Sequence, residues 1–384
     1  MPESVDTQKP PTITVAVPTQ RRRRKSDKRT WKWAAIAVLA VIALIAPLYL
    51  TSYWLQLVFA VSAIAIGAIG LNLVTGTADQ LSLANPFFMV VGALTYVVLC
   101  SEADAERGLV GLGLPPIVGL VGGVALAMVA GLLFSPIASR LRGIYLGMAS
   151  FGLVFVAIYV LNNAGALSGG FNGRSVPTFE LFGIVFGRSD EPLVIAGVPF
   201  GRWELLWYLG LALLVAAAWF ASNILKSRSG RALRLIASGD LPASVSGVHV
   251  AWYKAQVFAI SGMYAGLAGV LFALSIGSIA PETFSLELAL EFLAMIVIGG
   301  MGSVAGAVIG AAFVAAMPLL LQYALGDIPA FQTGEISAAN VANYVYGLAV
   351  ILVLIFKPSG LVGIWRDVMN SFRRRKNIPT TTES

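Results

Sequence analysis

Apolar runs close to 20 residues long recur from one end of this chain to the other, and no other feature limits its fold so strongly. At about 1.5 Å of rise per residue, such a run crosses a bilayer core about 30 Å thick as a helix. About ten spans can be drawn, at residues 33–50, 53–74, 84–100, 113–134, 143–161, 204–222, 255–276, 288–300, 303–325 and 340–356. The run at 288–300 is short, so it either begins nearer Phe284 or is a broken helix. The chain therefore reads as an all-α, polytopic membrane protein. Composition agrees: charged residues are only 12% of the chain, whereas a soluble domain carries about 25%. The 40 glycines fit the same class, because small residues let membrane helices approach closely.

The placement of Lys and Arg sets the expected orientation. With the N-terminus inside, all but four of the 26 (Arg107, Arg174, Arg188 and Arg202) fall in inner segments. Both termini are then expected to be cytoplasmic, and an even number of spans agrees. Three regions follow: a disordered basic tail at 1–32, a transmembrane domain at 33–365, and a second basic tail at 366–384. The transmembrane domain carries a long inner loop at 223–254. A signal peptide is not expected, since the first basic region leads into a span with no evident small-residue cleavage site.

Several chemistries are excluded. The net charge of +7 flanks apolar spans, which is orientation charge and not a nucleic-acid surface. His249 is the one histidine and Cys100 the one cysteine, so neither a metal site nor an intrachain disulfide is expected. A Walker-type phosphate loop needs Gly-Lys followed by Ser or Thr, and no Gly-Lys pair occurs. No catalytic constellation or cofactor site is read, and any ATP dependence must belong to a partner.

Two glycine-interrupted segments break the apolar pattern, 70–88 and 298–310. Broken helices point to a transport site, because unwound backbone offers polar groups to a solute at membrane depth. In the first, Asn72, Gln80, Ser82 and Asn85 are the candidate pathway contacts. In the second, Gly299, Gly302, Gly306 and Gly310 fall near helical spacing, and close packing is the competing reading. Glu291 lies among apolar residues, where an ionisable group is costly and often functional. It either lines the pathway, pairs with a partner, couples protons, or sits near the outer headgroups with Glu287 one turn before it.

The inner loop has readable physics. Arg231 and Arg234 share one helical face. Asp240 is expected to cap a short helix, Pro242 suits its first turn, and Gly247 ends it. A short helix across the inner face is suited to pass a rigid-body motion from a docked ATPase to the spans. The outer loop from Asn162 to Trp203 holds Ser168-Gly-Gly-Phe-Asn-Gly173, which reads as a flexible turn. It is either a plain surface loop or a contact for a solute-delivering partner.

In their order and spacing, the segments resemble the permease subunits of bacterial branched-chain amino-acid ABC importers of the LivM type. The resemblance rests on Gly70-Leu-Asn-Leu, Gln80-Leu-Ser-Leu83, Leu141-Arg-Gly-Ile-Tyr-Leu146 and Ser168-Gly-Gly-Phe-Asn-Gly173. It continues through Ser229-Gly-Arg-Ala-Leu-Arg234, Tyr253-Lys254, Gly299-Gly-Met-Gly-Ser303 and Lys357-Pro-Ser-Gly-Leu361. It implies a subunit of the cytoplasmic membrane that translocates branched-chain or related amino acids. It also implies partners: a second homologous permease, two cytoplasmic ABC ATPases and an extracytoplasmic solute-binding protein. By position, Arg231, Arg234 and residues 240–247 match the loop that meets the ATPase. The chain departs from the family at Asp79, where Gly is usual, at Ala84-Asn85, and at Ala237-Ser238-Gly239. Urea or short amides are the alternative cargo, and an ion-coupled transporter using Glu291 is the alternative mechanism.

Overall fold

The computed structural model describes residues 43–181, 184–186, 193–195, 198–326, 338–356 and 360–361. The chain divides into a unit at Met1–Tyr49 and a larger unit at Leu50–Ser384. Most of the first unit, including the expected basic tail and most of the span at 33–50, lies outside the described residues, as does the tail at 366–384.

The larger unit is a helical bundle. Its membrane-type helices are α1 (Ser52–Leu71), α2 (Asn85–Cys100), α3 (Pro116–Arg140), α4 (Ile144–Asn163) and α5 (Arg202–Lys226). Two short helices follow, α6 (Arg228–Ala237) and α7 (Asp240–Val245). Then come α8 (Val250–Ile276), α9 (Leu286–Gly299), α10 (Val304–Gly326) and α11 (Ala338–Phe356). Among the described residues, six helices are long and apolar enough to cross a membrane, counting α1 with its continuation to Thr77. The shorter α2, α9 and α11 also fall on expected spans. The α9 helix starts at Leu286, close to the Phe284 boundary that its short apolar run required. A 3-10 turn at Pro281–Phe284 precedes it, and the Ser285 hydroxyl accepts from Leu288 N at its N-terminus.

The α8 helix is the centre of the bundle and packs on α1, α2 and α3. Missing side chains make this possible, since backbones approach only where nothing stands between them. A methyl group on Gly92 of α2 would lie 2.6 Å from Gly266 Cα of α8, and one on Gly131 of α3 would lie 3.0 Å from the carbonyl carbon of Phe258. Gly299 of α9 likewise meets Gly306 and Gly310 of α10. The close-packing reading of that segment therefore holds, but across a hairpin and not along one helix. Gly302 lies in the turn between the two helices at φ +76°.

The two ends of the bundle differ. One end gathers Arg140, Arg142, α6, α7 and Lys254. The other gathers the loops at 101–115, 164–181 and 277–285. After the glycine turn at 168–173, the long loop contains paired strands. Two hairpins form from β2 (Phe179–Leu181) with β3 (Ile184–Phe186) and from β4 (Leu193–Ile195) with β5 (Val198–Phe200). Ahead of them, β1 (Arg174–Ser175) pairs antiparallel with β6 (Ser278–Ile279), placing Arg174 opposite Ile279. The loop is thereby stitched to the end of α8.

Candidate functional site

Beyond α1 the chain continues as a π-helical turn, Asn72–Thr77, in which Thr77 Oγ1 donates to the Asn72 carbonyl at 3.4 Å. Single π turns are uncommon and recur at functional sites. Residues 79–84 then run without helical structure to α2. Thr75 Oγ1 donates to the Gln80 carbonyl at 3.1 Å and holds the reversal. Asp79 has φ +53° and is the one non-glycine residue with positive φ among those described. This is the position at which the resembling family usually has Gly. Asp tolerates the left-handed region because its short polar side chain bonds locally, so the turn survives the replacement.

The candidate pathway residues of this segment are all buried, but they are not alike. Asn72 spends its amide on the second broken segment: Nδ2 donates to the Ser303 carbonyl and Oδ1 accepts from Gly302 N, both at 2.9 Å. It clamps two turns that lie 231 positions apart. Ser82 Oγ accepts from Ala84 N at 3.4 Å. Gln80 Oε1 and Asn85 Oδ1 are buried with no hydrogen-bond partner among the described residues, which sets these two side chains apart from Asn72. The segment is also tied to α4, where Ser150 Oγ accepts from Leu83 N at 2.9 Å and donates to the Gly147 carbonyl at 2.8 Å. Sequence reading missed Ser150, because a lone serine in an apolar helix carries no signal of its partner. Glu291 is not brought to this group. It is half-buried on α9, about 12 Å along the helix from Gly299, and has no ion-pair partner among the described residues.

At the basic end, α5 stops at Lys226 and the Ser227 hydroxyl caps α6 by accepting from Gly230 N. The helix buries Gly230, Ala232, Leu233 and Ile236 and leaves Arg231 and Arg234 exposed. Both arginines reach back over the end of α5: Arg231 Nη1 donates to the Lys226 carbonyl at 3.4 Å and Arg234 Nη2 to the Leu225 carbonyl at 3.1 Å. Cations are favourable there, because the last carbonyls of a helix lack intrahelical donors.

Pro242 stands in the first turn of α7, as the spacing requires. Gly247, at φ +80°, closes the helix, with its N–H donating to the Ser244 carbonyl at 3.0 Å. Asp240 does not cap. The residue before α7 is Gly239, and no side chain caps the turn. The Asp240 carboxylate instead accepts from Arg142 Nη2 at 2.7 Å and from Lys254 Nζ at 2.9 Å. A wholly buried ammonium competes for that carboxylate more strongly than exposed backbone N–H groups do. In the sequence Lys254 carried inner charge and part of the family resemblance, with no sign of this partner. On α7, Leu241 and Val245 are 75% and 83% exposed.

At the other end, Arg174 is only 5% exposed. Its Nη1 donates to the Val110 carbonyl at 2.7 Å and the Leu167 carbonyl at 3.2 Å. Burial lowers its pKa from the ordinary guanidinium value, and nearby Asp104 opposes the shift. The arginine lines an open cavity of about 700 Å³ together with Glu102, Asp104, Arg107 and Asn172.

A multi-helix membrane bundle with polar turns inside it and short helices across its basic end is the architecture of a membrane permease. The chain belongs to the family of branched-chain amino acid transport system permease components, whose match covers residues 53–355. It is a multi-pass transport subunit of the cytoplasmic membrane and not an enzyme.

Among similar proteins is the high-affinity branched-chain amino acid transport system permease protein LivM of Salmonella typhimurium. It is 30% identical over 78% of this chain and 67% of its own length. BraD of Pseudomonas aeruginosa, of the same transport class, is 26% identical over 79% of this chain and 92% of its own length. The ribose import permease RbsC of Escherichia coli K12 is also 26% identical, over 72% and 81%. No solved structure matches the chain.

Proposed function

We propose that this chain is the translocating subunit of an ATP-driven importer for branched-chain or related amino acids. The family match over most of the chain carries this reading. The charge bias orients the α6–α7 end toward the cytoplasm. A pair of ABC ATPases docks there, one against this chain and one against a second, homologous permease. Exposed Leu241 and Val245 give α7 an apolar contact surface, flanked by Arg231 and Arg234 on α6. The opposite end, with its mixed-charge cavity, faces an extracytoplasmic solute-binding protein.

Within the bundle, Gln80, Ser82 and Asn85 line the solute route. The partnerless oxygens of Gln80 and Asn85 suit the ammonium group of an amino acid. Asn72 shapes the wall and does not touch solute, since its amide is already engaged.

Uptake of labelled leucine, valine and urea, with an uncoupler present and ATP maintained, tests the reading. Chain-dependent leucine or valine uptake that survives the uncoupler supports it. Uptake of urea alone changes the cargo, and uptake that collapses with the proton gradient shifts the mechanism to ion coupling at Glu291. The docking surface is tested separately by Arg231→Glu with Arg234→Glu. An ATPase that co-purifies with this variant as well as with the wild type would remove α6 from the interface.

A further inference from the structure

The Asp240 carboxylate holds two cations of different kinds. Lys254, on the first turns of α8, is 0% exposed, whereas Arg142, in the turn between α3 and α4, is 70% exposed; Asp240 itself is 14% exposed. The buried pair is a permanent anchor, because separating it strands a charge away from water. The exposed pair contributes little to folding stability, so its removal leaves the fold intact. Among the described residues, the Arg142 contact is the only hydrogen bond or ion pair that joins α7 to the α3–α4 turn. Arg142 leads directly into α4, and two turns further along α4 Ser150 grips Leu83 N. Gly147 of α4 also faces the Leu81 side chain. The α7 helix, the start of α4 and residues 80–85 therefore form one connected series.

We propose that Arg142 and Asp240 join α7 to α4, and that α4, through Ser150, moves the candidate pathway segment when α7 is displaced. Asp240, Arg142 and Ser150 are positioning residues that act through others and touch no solute. The inference rests on the docking of an ATPase at α6–α7. The decisive quantity is energetic.

The test uses the complete importer in proteoliposomes and reads solute taken up per ATP hydrolysed. Arg142→Gln is an exposed change that leaves folding and assembly intact. It is expected to lower that ratio about threefold, the scale of one partly exposed ion pair, while ATP hydrolysis continues. Arg142→Lys should restore most of it. Ser150→Ala should lower the ratio as well, and the double variant should fall no further than the worse single one, because both act in one series. A ratio for Arg142→Gln equal to wild type, with wild type coupled, would overturn the relay alone. So would independent, multiplying effects of the two substitutions. A wild-type complex with no ATP-driven uptake would overturn the importer reading and the relay with it.

Discussion

Replacing Asn72 with Leu isolates the clamp between the two broken segments. The side chains are similar in size, so the change removes hydrogen bonds without opening a cavity. Two bonds of 2.9 Å are lost, to the Ser303 carbonyl and from Gly302 N. Each contributes about 1 kcal/mol net, so the bundle should lose about 2 kcal/mol. Unfolding in mixed detergent micelles measures the total. Hydrogen exchange of a peptide covering 299–303 measures the local part, where protection of the Gly302 amide should fall about fivefold. If Asn72→Leu stays within about 0.5 kcal/mol of wild type and exchange at 299–303 is unchanged, the clamp does not hold these turns together.

Asp240→Asn should be far more damaging than an ordinary polar change, by about 3–5 kcal/mol, because it leaves the Lys254 ammonium buried without a carboxylate. Adding Lys254→Met should recover most of that loss, and a double variant no more stable than Asp240→Asn in detergent unfolding would count against the buried pair. Arg174→Gln should loosen the outer loop at 164–175 and raise its hydrogen exchange, since Val110 and Leu167 lose their donor; unchanged exchange would show that the strand pairing with Ser278–Ile279 suffices. Glu291→Gln should keep most ATP-driven uptake, and complete loss with normal assembly would move Glu291 into the mechanism.

Much of this protein is legible in its residues. Apolar run length located the helices, and the Gly and Pro punctuation of the inner loop located α7 and its end at Gly247. The site was only half legible. Asn72, Gln80, Ser82 and Asn85 stood out as polar residues in an apolar setting, which is a local signal. That Asn72 is consumed by Gly302 and Ser303, that Asp240 pairs with Lys254 instead of capping α7, and that Ser150 holds Leu83 are facts about distant partners.

The sequence by itself determined the helices, because in a bilayer each backbone group must be paired within its own segment, and an apolar run of the right length does this alone. Tertiary structure decided which polar groups are spent and which are left over. Burial of Lys254 in the bundle makes a carboxylate obligatory, and the fold supplies Asp240 from 14 residues away in sequence. The same packing buries Gln80 and Asn85 in the interior, each with one oxygen unmatched among the described residues, and which oxygens are left over depends on the helices that close around them.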